Sequence, residues 1–105
     1  MTPTNANALL RTIARKLKDY ATGVQSDYYP PSIENPDAWL CFEFRDLEGV
    51  YHSHIHYFIT HARGPGWCHH AHYIDNWTAL PAAIREMLQD TTDTFMVIQH
   101  LEGAF

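Results

Sequence analysis

The sequence predicts an α+β fold: a single compact domain, 1–105, in α-β-β-β-α-β order, with an antiparallel sheet and two helices packed on one of its faces. Three observations lead there. Apolar residues recur at spacings of three and four near the start, alternation takes over from residue 38, and helical spacing returns after residue 78. A chain of 105 residues with 46% hydrophobic content has material for one core.

The first element runs from about residue 5 to 22, where Leu10, Ile13, Leu17 and Tyr20 form an apolar stripe widened by Leu9, Ala14 and Ala21. Thr4, Asn5 or Asn7 is expected to cap it, and Gly23 to stop it. Arg11, Arg15 and Lys18 fall on the opposite face as a cationic stripe. Residues 24–37, with three prolines and little periodicity, read as a long ordered loop. Its Tyr28-Tyr29-Pro30-Pro31 cluster offers rigid aromatic surface of the kind found at interfaces, or a cover for the core edge.

In "AWLCFEFRD" (38–46), Leu40, Phe42 and Phe44 point one way and Trp39, Cys41, Glu43 and Arg45 the other. "DLEG" is a turn. In "VYHSHIHYFIT" (50–60), Tyr51, Ile55, Tyr57 and Ile59 share one face, and His52, His54, His56 and Phe58 share the other. A two- or four-residue hairpin loop makes paired positions sum to an odd number, setting the phenylalanines against Ile55 and Tyr57 and grouping Glu43 with the histidines. A three-residue loop would place three histidines among Leu40, Phe42 and Phe44, so it is rejected.

After the reversal "HARGPG", a third strand at about 67–74 has Trp67, His69, Ala71 and Tyr73 on one face and Cys68, His70, His72 and Ile74 on the other. Turning Trp67, Ala71 and Tyr73 inward buries the larger aromatic area and adds His70 and His72 to the histidine face. Residues 78–92 form the second helix, with Thr78 as cap, Pro81 in the first turn, and Leu80, Ile84, Met87 and Leu88 buried. The β-branched, aromatic "TFMVIQHL" suggests a closing strand.

Seven of the eight histidines fall within residues 50–74. His54 and His56, joined by His70 and His72 from the neighbouring strand, form a candidate metal set; four imidazoles, or three with Glu43, would suit Zn²⁺ or Ni²⁺, and three ligands with an open position would permit hydrolysis by metal-bound water. Other chemistry finds no support. The paired His-x-Ser/Thr motif of two-histidine phosphoesterases does not occur, the helix after His69-His70 lacks the residues of a metal-finger nuclease, and no phosphate-cradling glycine loop is present. Cys68 and His70 lack the surroundings of a nucleophile pair. No catalytic residue is assigned, and no cofactor beyond that metal is expected.

Charge narrows the partner class. Residues 1–18 hold four of the seven basic residues and none of the twelve acids, so the chain splits +4 against −9. An acidic body disfavours nucleic acid and anionic lipid and fits a basic protein. No segment reaches bilayer length and no signal peptide is evident, so a soluble, cytosolic protein is expected. Cys41 and Cys68 are expected as reduced thiols, with a disulfide open if the strands bring them together.

The expected function is therefore a non-catalytic binding module, an inhibitor or antagonist of a basic, nucleic-acid-acting protein. Its contact residues would be Tyr28, Tyr29, Trp39, Glu43, His52, His54, His56, His70, His72 and Trp77. In architecture alone it resembles many small bacterial and phage proteins that act by binding, among them secretion chaperones, immunity proteins and inhibitors of host defence systems, and fold does not give function. The alternatives are a metal-binding protein or hydrolase built on the four histidines, a face loosened by acid through histidine protonation, and a homo-oligomer, such as a homodimer, joined through the sheet face or the final strand.

Overall fold

A computed structural model of the chain describes residues 2–68 and 73–101. The fold class is the expected one. Helix α1 (Pro3–Leu17) leads into strands β1 (Ala21–Tyr29), β2 (Ala38–Asp46), β3 (Tyr51–Thr60) and β4 (Gly66–Trp67), then the short helix α2 (Ile74–Thr78) and the long helix α3 (Ala82–Leu101). The strands pair antiparallel in the order β1-β2-β3-β4.

Helix α1 is capped by Thr2, whose Oγ1 accepts from the Asn5 amide at 3.1 Å, with Pro3 in the first turn. The cap lies upstream of the three candidates from the sequence. Ala6, Leu9, Ile13 and Leu17 are the buried stripe, leaving Leu10 half-buried. These side chains meet Leu40, Phe42, Phe44 and Ile55 of the sheet and Ile84 and Leu88 of α3 in one core. Arg11, Arg15, Lys16 and Lys18 are exposed, with Lys16 beside α3, where it lines a hollow with Glu86 and Asp90.

Two segments differ from expectation. Residues 21–29, assigned to a helix end and a loop, are strand β1. Ser26 and Tyr28 pair with the core-facing Phe42 and Leu40, and Val24 in the bulge packs on the core, yet only Val24 and Tyr28 of these three are apolar, so alternation is faint. Gly23 does not stop a helix. It takes φ +62° at a bulge between Thr22 and Gln25, a conformation in which glycine has no Cβ penalty. The second difference is "TFMVIQHL", which continues α3 rather than forming a strand. Ile84, Leu88, Thr91 and Thr92 are buried along one stripe, and Phe95 and Met96 extend it onto the core. Prolonging an existing helix adds one hydrogen bond per residue fixed, which outweighs the strand preference of Val97 and Ile98.

Thr78 ends α2 instead of capping α3, while Leu80 is buried as expected and Met87 is half-buried. Of the expected third strand, Trp67 belongs to β4 (Gly66–Trp67) and Cys68 lies in a turn. Tyr73 precedes α2, so the inward placement of Tyr73 and the strand face of Ile74 do not hold. The positions of His69, His70, Ala71 and His72 in that expectation lie outside the described residues. Both cysteines are free thiols.

Candidate functional site

The hairpin of β2 and β3 builds the site. Trp39, Leu40, Cys41 and Phe42 pair with Phe58, Tyr57, His56 and Ile55, the odd-sum register expected from the sequence. The register then shifts. Phe44 pairs with His52 and Arg45 with Tyr51, so Ser53 and His54 together oppose Glu43. Two residues against one is a β-bulge, and His54 absorbs it at φ +55°.

That bulge overturns the grouping of His52 with His54 and His56. Below it every side chain changes face, so His52 turns to the core side, 5.6 Å from the Phe44 ring, and Tyr51 turns outward. His52 is buried, and its Nε2 lies 2.8 Å from Asp46 Oδ2. Asp46 also accepts from the amides of Glu48 and Val50, which closes the turn. The His52 hydrogen bond, ahead of those amide bonds, holds the Asp46 carboxyl below its ordinary value. His52 is thus a satisfied core histidine rather than a contact residue.

The outer face is organised in rows. Tyr29, Trp39 and Phe58 form one, with Tyr29 and Trp39 stacked at 4.9 Å. Asp27, Cys41 and His56 form the next, and Gln25 and Glu43 with the Ser53-His54 bulge a third. Tyr51 donates a hydrogen bond to Glu43 Oε2, which raises the Tyr51 phenol's pKa, and Arg45 lies over the Tyr51 ring at 5.5 Å. Tyr73 closes over the histidines, stacked on His54 at 5.0 Å and 4.6 Å from the His56 ring.

Two hollows open on this face. One of about 330 Å³ is lined by Asn35, Asp37, Trp39, His56, Phe58 and Tyr73. The other, about 250 Å³, has Asp27, Tyr29, Cys41, Glu43, Tyr51 and His54 among its walls. Between them, one donor atom each from Cys41, His54 and His56 lies within 4.8 Å of the other two. Burial, with the charges of Asp27 and Glu43 adding to it, pushes the Cys41 thiol up to about 11.

The expected site residues therefore divide. Tyr29, Trp39, Glu43, His54 and His56 share the outer face. Tyr28 and Trp77 pack against the core, Trp77 stacked on Trp67 at 5.2 Å, so neither joins that face. The Trp67 indole N–H donates to Thr92 Oγ1 at 3.2 Å, fixing this aromatic pair on the α3 side. Of the four proposed metal ligands, His54 and His56 come together, while His70 and His72 lie outside the described residues. Cys41 is the donor the histidine pattern leaves out, although the register that pairs Phe42 with Ile55 also pairs Cys41 with His56.

Fold and site define a small α+β protein with a helix-covered face and an aromatic, histidine-bearing face. The chain matches no protein-family model, no curated protein and no solved structure.

Proposed function

We propose that the protein is a non-catalytic binding module that sets the outer face of its sheet against a basic protein, acting as an inhibitor or antagonist in the manner of immunity and anti-defence proteins. The observation that carries this reading is the one-sided packing. The helices share one core with Leu40, Phe42 and Phe44, so Tyr29, Trp39, Asp27 and Glu43 are left on the face away from them.

Charge supports the choice of partner. Asp27, Asp37 and Glu43 line the two hollows, with Arg45 on the same sheet face, while Arg11 and Arg15 are exposed on α1, the helix packed against the core side of the sheet. Such a field speeds encounter with a basic surface and opposes nucleic acid. The stacked Tyr29–Trp39 pair supplies rigid aromatic area of the type that anchors interfaces. Among the described residues no helix is long and apolar enough to cross a membrane.

The test compares wild type with Trp39→Ala on the outer face and Arg15→Ala on α1. Each is immobilised against a lysate, and the retained protein is purified and titrated by calorimetry. A basic partner whose affinity falls more than about 30-fold with Trp39→Ala, weakens with salt and ignores Arg15→Ala supports the reading. Affinity indifferent to Trp39→Ala, or lost with Arg15→Ala, would sink it.

A further inference from the structure

We infer that Cys41, His54 and His56 form a mononuclear transition-metal site, best matched to Zn²⁺, whose fourth position opens to solvent in the adjoining hollow. The inference is independent of the docking face proposed above and needs no partner.

Geometry comes first. Three donor atoms mutually within 4.8 Å always leave a point no farther than about 2.8 Å from each. Zinc bonds to imidazole nitrogen and thiolate sulfur measure roughly 2.0–2.3 Å, so a contraction of well under about 1 Å per donor completes the site. Small side-chain rotations supply that.

The backbone is arranged for it. Same-face residues on a regular strand stand roughly 7 Å apart. His54, held at φ +55° in the bulge, has its ring 5.9 Å from that of His56, nearly edge-on at 72°. Cys41 reaches the pair from β2 because it sits directly opposite His56. A non-glycine residue held at positive φ costs energy that Gly23, at the bulge in β1, avoids. The strain in β3 falls on the residue that carries the second imidazole.

The surroundings suit a cation. Asp27 and Glu43 share the hollow with Cys41 and His54, lowering the energy of positive charge there, and Tyr73 stacked on His54 fixes the ring's orientation. One soft sulfur with two borderline nitrogens selects Zn²⁺, Co²⁺ or copper over Mg²⁺ or Ca²⁺. On binding, the Cys41 thiol gives its proton to solvent and the thiolate becomes the ligand, so affinity should tighten as pH rises.

The experiment is titration of the chelator-stripped full chain with Co²⁺, followed by displacement with Zn²⁺. We expect one Co²⁺ per chain, a thiolate-to-cobalt charge-transfer band and intense visible bands of tetrahedral geometry. Cys41→Ser should remove the charge-transfer band and weaken Zn²⁺ more than about 100-fold, since even loss of an outer-shell partner costs 10–100-fold. His54→Gln should weaken it at least about 10-fold, and Cys68→Ser should change neither. Cys41→Ser is nearly isosteric and His54 is exposed, so both variants should keep the wild-type circular dichroism spectrum, with Cys41→Ala as a second probe of the sulfur. Absence of a charge-transfer band, a band that survives in Cys41→Ser, or affinity that follows His70→Ala but not Cys41→Ser would each overturn the assignment.

Discussion

His52 and His56 lie four residues apart on one strand, and the sheet sends them to opposite faces. On the core side the buried His52 meets the Asp46 carboxylate at 2.8 Å and lies beside the Phe44 ring. On the outer side His56 joins His54, Cys41, Trp39 and Tyr73 in a group of rings and donors beside two hollows. Burial alone does not distinguish them, for both are 6% exposed. The neighbours do: on one side a carboxylate in a turn closes a structural contact, on the other nitrogen and sulfur donors converge within 4.8 Å of one another.

The difference between the faces can be tested at its largest expected effect with Phe42→Ala, set against Trp39→Ala. Phe42 is fully buried at the centre of the core, so its truncation should cost about 3–5 kcal/mol of unfolding free energy. Trp39 is half-buried on the outer face and should cost about 1–2 kcal/mol. Urea denaturation of both measures the gap; equal losses would mean the outer face is as structural as the inner.

Thiol reactivity probes the outer face directly. A Cys41 pKa of about 11, against an ordinary 9.0, leaves about 100-fold less thiolate near pH 8. Alkylation of Cys41 in folded protein should be slower than in urea-unfolded protein by about that factor, followed by mass spectrometry of the labelled peptide. Equal rates would show that neither burial nor the acids act on the sulfur.

The core face carries its own pH signature. Because the folded Asp46 pKa lies below the unfolded carboxylate value of about 3.9, the pair's contribution is present above that value and lost as pH falls through the folded one. Asp46→Asn should therefore flatten the acid limb of the melting temperature below about pH 4, with a smaller change at neutral pH than Phe42→Ala produces. Parallel acid limbs for mutant and wild type would assign the acid sensitivity elsewhere.

The smallest effect should have the opposite sign. His54→Gly relieves a positive-φ residue, raising stability by about 0.5–1 kcal/mol after glycine's own entropy cost, while removing the imidazole from the outer group. A stabilised variant with weakened cobalt binding would mark the strain as serving the ligand set. A destabilised one would show that the His54 ring, stacked on Tyr73, holds the fold instead.

Much of this architecture is legible in the residues. Leu40, Phe42 and Phe44 alternate with Trp39, Cys41 and Glu43, and a period of two permits only one register that keeps the isoleucines inside. The helical stripes of α1 and α3 are similarly local, since spacing of three and four is set by the helix pitch. Amphipathic helices around an alternating hairpin specify an α+β fold with one covered face, and the sequence determines that much by itself.

What only the tertiary structure decided is where the pattern breaks. Strand β1 carries too few apolar residues to announce itself and exists because β2 offers it hydrogen bonds. The final segment has strand-like composition but becomes helix, because Phe95 and Met96 reach the core by continuing α3. Most consequential is the bulge in β3: nothing local distinguishes His52 from His54, and alternation groups both with His56. Asp46 can satisfy a buried histidine only if the strand slips by one residue, and that slip removes His52 from the candidate site while drawing His54 toward Cys41. A register is a property of two strands together, so the pairing of both had to be known before the site could be assembled.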